Sequence, residues 1–244
     1  MKETLLTVLE NTRLADGIYR LRLAGDTSAI TAPGQFVNLK LSGFFLRRPI
    51  SVCDWENGEV TLIYKVLGHG TEAMTGMAVG TALDVLTGLG NGFDLSRSGE
   101  HPLLVGGGVG IPPLYGLAKR LTAQGKRVTA VLGFNRKSEI FLAEEFRALG
   151  AEVVIATADG SAGLKGLVTD GMAAVSDYTY LYTCGPEPML KAVYDACKTS
   201  GQFSFEERMG CGFGACMGCS CETKYGNKRI CKDGPVLEKE EIVW

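Results

Sequence analysis

Residues 101–118 read HPLLVGGGVGIPPLYGLA, the one long stretch of the chain without Asp, Glu, Lys or Arg. Its length is close to that of a membrane-spanning helix, which needs ~20 mostly apolar residues. It contains five glycines and three prolines, however, and a glycine triplet followed by paired prolines interrupts a helix. The better reading is a buried strand, a tight turn and a helix opened by Pro112, where a missing amide costs little. Downstream the same pattern recurs: RVTAVLGF, EVVIATAD and YTYLYTCG read as apolar strands, SEIFLAEEFRALG and PEPMLKAVYDACKTSG as helices, the second opened by Pro186. Ser138 and the acidic residues from Glu139 to Glu145 fit a helix start, with Gly150 as its stop. Strands alternating with helices imply a parallel sheet with crossover connections.

Upstream, the pattern has a period of two. In IYRLRL, Tyr19, Leu21 and Leu23 alternate with Arg20 and Arg22, and Val60, Leu62, Tyr64 and Val66 do the same in EVTLIYKV, each a strand with one buried face. Turn signals separate these runs, and no helix interrupts them before about residue 70, so a small antiparallel barrel or sandwich is expected. The polar stretch SRSGEHP, residues 96–102, marks a boundary. The expected division is 1–98, a β-barrel; 99–200, an α/β domain; and 201–244, a cysteine-rich segment too short to form a core without a bound group.

Composition narrows the classes. A chain of 244 residues has room for two cores. A net charge of -2 and a pI near 5.8 supply no field for polyanions, so nucleic acid is not an expected partner. MKETLLTVLENTRLADG lacks the parts of a secretory signal, and neither a membrane span nor a signal is expected. The expected location is the cytoplasm, where disulfides seldom persist.

In MGCGFGACMGCSCE, residues 209–222, Cys211, Cys216 and Cys219 stand as C-x4-C-x2-C, and Cys231 follows. This is the plant-type spacing for a [2Fe-2S] cluster. Zinc, which prefers two short-spaced pairs, and thiol pairing are the competing readings. Gly212 and Gly214 permit positive φ and close approach of amides to sulfur. Cys221 lies two residues beyond Cys219, so on a strand the two face oppositely and Cys221 is read as a non-ligand. Cys53, Cys184 and Cys197 stand alone, as small buried apolar residues do.

Two further regions suit a flavin and a nucleotide. In LRRPISVCD, residues 46–54, Arg48 offers a fork for a phosphate, while Ser51 and the backbone suit a ring system; the bland alternative is an exposed turn arginine. In IYKVLGHGT, residues 63–71, the Gly-His-Gly-Thr loop can bring amides to a pyrophosphate, with His69 read as an exposed loop residue. GGGVGIPP, residues 106–113, sits where a phosphate meets a helix start, but Ile111 and Pro112 occupy the place of the third glycine of G-x-G-x-x-G, so a simple dehydrogenase fingerprint is disfavoured. CGPEPM, residues 184–189, again joins a strand to a helix.

This order, RPIS in a barrel, then GGGVGIPP, then CGP, resembles the ferredoxin reductase family of flavoproteins. The tail CGFGACMGCSCE with CKDGPV is similar to that of the electron transfer subunits of type B dihydroorotate dehydrogenase. The resemblance implies that Arg48, Pro49, Ile50 and Ser51, with Ile63, Tyr64, Lys65, Gly70 and Thr71, hold FAD. It implies that Cys211, Cys216, Cys219 and Cys231 hold a [2Fe-2S] cluster. Gly107, Gly108 and Gly110, with Cys184, Gly185 and Pro186, would face NAD as a substrate. It further implies a partner, an FMN-containing catalytic subunit that oxidises dihydroorotate, in a heterotetramer of two of each.

Two other readings compete: the small subunit of a related ferredoxin-linked NAD(P)H or sulfur-reducing oxidoreductase, and a zinc-tailed binding module without redox activity. The GFNRKSE turn, residues 133–139, offers both a cationic pair, Arg136 and Lys137, and an acid, Glu139, so the residues themselves leave NAD and NADP open.

Overall fold

The computed structural model describes residues 1–244. Six antiparallel strands close into a barrel: β1 (Lys2–Ala15), β2 (Ile18–Gly25), β3 (Phe36–Leu39), β4 (Arg48–Glu56), β5 (Glu59–Lys65) and β6 (Ala82–Leu89), in the order β1-β2-β5-β4-β3-β6. The short helix α1 (His69–Thr75) joins β5 to β6. The alternation seen in the sequence is the alternation of the barrel: Leu21, Leu23, Val60, Leu62 and Tyr64 fill its interior with Leu6, Val8, Val37, Leu39, Val52 and Val85.

Strands β7 (Pro102–Gly107), β8 (Thr129–Phe134), β9 (Glu152–Thr157), β10 (Leu164–Lys165), β11 (Tyr180–Cys184) and β12 (Gly201–Ser204) form a parallel sheet in the order β10-β9-β8-β7-β11-β12. Helices α2 (Ile111–Ala123) and α3 (Ala143–Ala148) cover one face, where Leu114, Leu117, Leu121 and Phe146 pack on Leu104, Ala130 and Tyr182. Helices α4 (Val168–Ala173) and α5 (Glu187–Ala196) cover the other, through Val168, Met172, Leu190 and Val193 against Leu103, Val105 and Leu181. The strand order reverses between β7 and β11, the place where ligands of such sheets bind.

The tail is built differently from expectation. A hairpin of β13 (Ser220–Thr223) and β14 (Gly226–Arg229) carries part of it, and the chain then returns as β15 (Val236–Glu238), antiparallel to β12 at the edge of the parallel sheet. Cys219, Ile230, Cys231 and Leu237 share a core with Phe203. The segment therefore borrows the core of the nucleotide sheet and does not depend on a bound group alone for its anchorage. A second difference lies in α3, which starts at Ala143, whereas the acidic run from Ser138 suggests an earlier start. Glu139 is engaged by Asn135 and Arg136, Phe141 and Leu142 turn into the core, and Leu142 takes a left-handed φ of 61° just before the helix.

Barrel and sheet are locked together along β4 and α2. A Cβ on Gly116 would lie 2.5 Å from the carbonyl oxygen of Cys53, so the absence of a side chain lets the helix rest on the strand backbone. Lys119 and Arg120 of α2 pair with Asp54, and the Arg120 guanidinium lies 3.5 Å from the centre of the Trp55 ring, a contact of about 0.5–2 kcal/mol. Cys53 is sealed in this seam, and burial pushes its thiol well above the usual range.

Candidate functional site

The flavin motif occupies a gap in the barrel wall. β4 pairs with β5 only from Val52↔Leu62 onward, while Arg48–Ser51 pair with β3 and Ile63–Lys65 with β2. The facing edges of Arg48–Ser51 and Ile63–Lys65 thus carry no ladder bonds to each other, and their amides and carbonyls are available to a ligand. At this gap the Arg48 side chain crosses Gly70 so closely that a Cβ there would fall 2.0 Å from Nε. Its guanidinium also lies over Phe44, 4.9 Å from the ring centre, and its Nη1 donates to the Leu46 carbonyl. Thr71 Oγ1 accepts from the amides of Leu67 and Gly68 and fixes the loop before α1. Ile63 and Tyr64 have buried side chains, Tyr64 donating to Asn11 Oδ1 inside the barrel, so they can meet a ligand only through their backbone. His69 is exposed, as its place in the sequence implies.

The two glycine turns of the nucleotide domain touch. A Cβ on Gly110 would lie 2.2 Å from the Cys184 carbonyl oxygen, and one on Gly107 or Gly185 would strike Met189. Gly108, with φ of +51°, faces open space. The turns at Gly107–Gly110 and Cys184–Pro186 therefore pack together as one floor at the strand ends, with Gly108 the glycine of the four that leaves open space for a pyrophosphate to approach the backbone. Ile63 packs in the same core as Ile111, which sets the end of β5 beside this floor. Cys184 is half-buried, its thiol raised to about 12 by desolvation, and suits a wall better than a nucleophile.

The four spaced cysteines come together two and two. Cys211 and Cys216 are in side-chain contact, and each backbone amide points at the other's sulfur at 3.5 Å. Cys219 and Cys231 form the second pair, the Cys231 amide lying 3.4 Å from Cys219 Sγ. Desolvation alone would raise the Cys211 thiol, but the amides of Phe213, Cys216 and Ala215 and the Cys216 side chain bring it down to about 6. Such a sulfur is ready to ligate as thiolate. Burial and the neighbouring Cys219 push Cys231 up to about 12. Two pairs of sulfurs suit a group with two irons. Gly212 and Gly214 have φ of +78° and +93°, the backbone expected of them. Cys221 lies elsewhere, lining a cavity with Glu206, Glu222 and Trp244.

Two features of the site have weak signals in the sequence. Arg229 donates to the Gly214 carbonyl and pairs with Asp233, bracing the cysteine loop. Asn38, on β3, donates from Nδ2 to the carbonyl of Cys211 at 3.3 Å; its only trace is a polar residue inside the apolar run FVNL.

A closed antiparallel barrel joined to a doubly wound nucleotide domain, with paired cysteines on an appended loop, defines a flavin and nicotinamide reductase carrying an iron–sulfur segment. Residues 206–243 match the iron-sulfur cluster binding domain of dihydroorotate dehydrogenase B, and residues 104–195 match the oxidoreductase NAD-binding domain. Dihydroorotate dehydrogenase B (NAD(+)), electron transfer subunit, from Bacillus pumilus is 45% identical, over 99% of this chain and 98% of its own length; the Fusobacterium nucleatum protein of the same name is 43% identical over 97% and 96%. Among solved structures, the NADH-dependent reduced ferredoxin-NADP oxidoreductase superposes with a TM-score of 0.89 at 30% identity, covering 99% of this chain and 90% of that one. The chain belongs to the family of dihydroorotate dehydrogenase B electron transfer subunits.

Proposed function

We propose that the chain passes electrons from the FMN of a catalytic dihydroorotate-oxidising subunit, through a [2Fe-2S] cluster and FAD, to NAD+ in pyrimidine biosynthesis. The observation that carries this is the two-and-two pairing of cysteines on a loop bonded to the strand beside the flavin motif. When bound, a cluster supplies single-electron transfer, a nicotinamide hydride transfer, and a flavin both.

The chain's own residues bind and orient these groups. Arg48 holds the FAD phosphates with the backbone of Gly70 and Thr71, and the unpaired edges of Arg48, Pro49, Ile50 and Ser51 and of Ile63, Tyr64 and Lys65 hold the rest of the flavin. Gly107, Gly108, Gly110, Cys184, Gly185 and Pro186 admit NAD(H). Arg136, one of the two cations that could have favoured a 2′-phosphate, is already engaged by Glu139. Cys211, Cys216, Cys219 and Cys231 hold the cluster. Cys219 and Cys231 are buried, while Cys216 is exposed beside the half-exposed Phe213 and Met217, which leaves the Cys211/Cys216 side open for a partner's redox centre.

In this scheme residues 1–98 serve FAD, 99–200 NAD and 201–244 the cluster, with β12 and β15 of the last part completing the nucleotide sheet. The complex would be a heterotetramer of two of each subunit, at work in the cytoplasm, where thiols stay reduced. No helix of the chain is long and apolar enough to cross a membrane. A ferredoxin-linked reductase is the alternative favoured by the 0.89 superposition, though at lower identity, 30% against 45%. Purifying the tagged chain from its own cell extract separates the two: recovery of an FMN protein that oxidises dihydroorotate supports the proposal, and recovery of a different flavoprotein in its place refutes it.

A further inference from the structure

We infer that Glu139 is the residue that turns this chain away from NADP: by holding Arg136, with Asp159 beside it, it makes the turn after β8 fit a ribose 2′-hydroxyl and repel a 2′-phosphate. The inference deepens the function proposed above, on which it rests, and names a residue for a choice that GFNRKSE leaves open as a sequence.

Register places this turn beside the nucleotide floor. β8 runs parallel to β7, with Gly133 opposite Gly107, so Asn135 to Glu139 leave the sheet at its carboxyl end next to the glycine turn. In a doubly wound sheet the adenosine ribose lies there, one strand over from the pyrophosphate, and side chains of the turn meet its 2′ position. β9 exits alongside. The amides of Ala158 and Asp159 donate to the carbonyls of Phe134 and Asn135, which brings Asp159 and Ser161 against the same turn.

Donors that a 2′-phosphate would use are already taken by the two acids. Arg136 Nε donates to Glu139 Oε1 at 3.0 Å, and Asn135 Nδ2 donates to Glu139 Oε2 at 2.9 Å. Both carboxylate oxygens are thus fixed, and only 14% of the Glu139 side chain is exposed, against 60% for Arg136. The Lys137 amide donates to Ser161 Oγ at 2.7 Å, while the Ser161 hydroxyl and amide donate to Asp159 Oδ1 at 2.6 and 2.9 Å. Those bonds to Ser161, helped by the Arg136 charge, hold the Asp159 carboxyl below its usual range. The charges of Arg136 and Lys137 are therefore offset by those of Glu139 and Asp159. A phosphate brought to the turn meets two carboxylates, a like-charge contact that suppresses the wrong ligand. A 2′-hydroxyl is neutral and can donate to a carboxylate, so it fits the same place.

The test uses the full chain loaded with FAD and cluster, and reads kcat and KM for NADH and for NADPH with an artificial acceptor. Wild type should favour NADH. Glu139→Gln keeps the shape of the side chain and removes its charge, so the ratio of kcat/KM for NADPH to that for NADH should rise about 10–100-fold. The rise should come through a lower KM for NADPH with its kcat unchanged, because the ribose lies away from the reacting carbon. Adding Arg136→Ala to Glu139→Gln should cancel the gain, since the freed guanidinium is its source. A merely structural role for Glu139 would raise KM for both nucleotides. Asp159→Asn, at an exposed position, should move the ratio in the same direction, and it decides the matter if Glu139→Gln does not fold. Wild type that takes NADPH as well as NADH, an unchanged ratio in Glu139→Gln, or a gain that survives Arg136→Ala overturns the inference. A wild-type chain with full FAD and iron that oxidises neither nucleotide would refute the proposed function itself.

Discussion

Gly110→Ala should cripple the nicotinamide site while leaving the other cofactors in place. The added Cβ would lie 2.2 Å from the Cys184 carbonyl oxygen, 2.4 Å from its carbon and 2.6 Å from the Gly185 nitrogen. All three are backbone atoms in the facing turn, and no side chain can rotate aside. Ordinary contact begins near 3.4 Å, so the turns must separate by ~1 Å, with an overpacking cost of about 1–3 kcal/mol. Misplacing a reacting group by this much lowers the rate by about 10²-fold, equivalent to ~2.7 kcal/mol. The assay is NADH oxidation with an artificial acceptor, with flavin and iron measured on the same samples. Gly76→Ala is the control, since its Cβ would meet nothing nearer than 3.8 Å. A Gly110→Ala protein with full FAD, full iron and kcat/KM for NADH within about twofold of wild type would show that the two turns do not form the nucleotide floor.

Further outcomes follow from the same geometry. Serine at Cys211, Cys216, Cys219 or Cys231 should abolish the reduced-cluster EPR signal, and Cys221→Ser should retain it; loss at Cys221 with retention at Cys219 would reverse the assignment. Arg48→Ala should weaken FAD binding by about 10–100-fold with iron content intact, and Arg48→Lys should not restore it, because lysine lacks the bidentate fork; full flavin occupancy in Arg48→Ala would remove the arginine from the site. Burial works to raise the Asp84 carboxyl, but Arg47 and Lys40 hold it below the usual range. Its contribution, about 1 kcal/mol, is therefore complete above the ordinary carboxylate pKa and lost as pH falls through the folded value. Asp84→Asn should flatten the acid limb of a plot of Tm against pH, and an unchanged limb would exclude this pair as a source of acid lability.

Much of the architecture was readable because local chemistry determined it. Leu21, Leu23, Val60 and Leu62 alternate in the sequence for the reason that they alternate in the barrel, and apolar strands separated by helices leave a parallel sheet as the natural arrangement. The close approach of the two glycine turns was readable because only glycine tolerates it, and the gathering of the cysteines because their spacing lets one loop bring them together in pairs. What escaped depends on distant partners. The strand β15 is three residues, VLE, whose identity comes from pairing with β12. The late start of α3 comes from Glu139 being occupied by its neighbours and from Leu142 turning inward. Tyr64 belongs to the flavin motif by position, yet its ring is spent inside the barrel. Asn38 carries no motif at all; its meaning depends on Cys211, which lies far along the chain and beside it in space.

The most direct measurement is dihydroorotate-dependent reduction of NAD+ by this chain mixed with an FMN-containing dihydroorotate-oxidising subunit, compared with the same mixture made from the Cys219→Ser chain. Alone, the chain should oxidise NADH with artificial acceptors and leave dihydroorotate untouched. The mixture should reduce NAD+, and the cluster-free mixture should not, while keeping NADH oxidation by artificial acceptors. Turnover of dihydroorotate by the isolated chain, or equal NAD+ reduction with and without the cluster, would contradict its role as an electron transfer subunit.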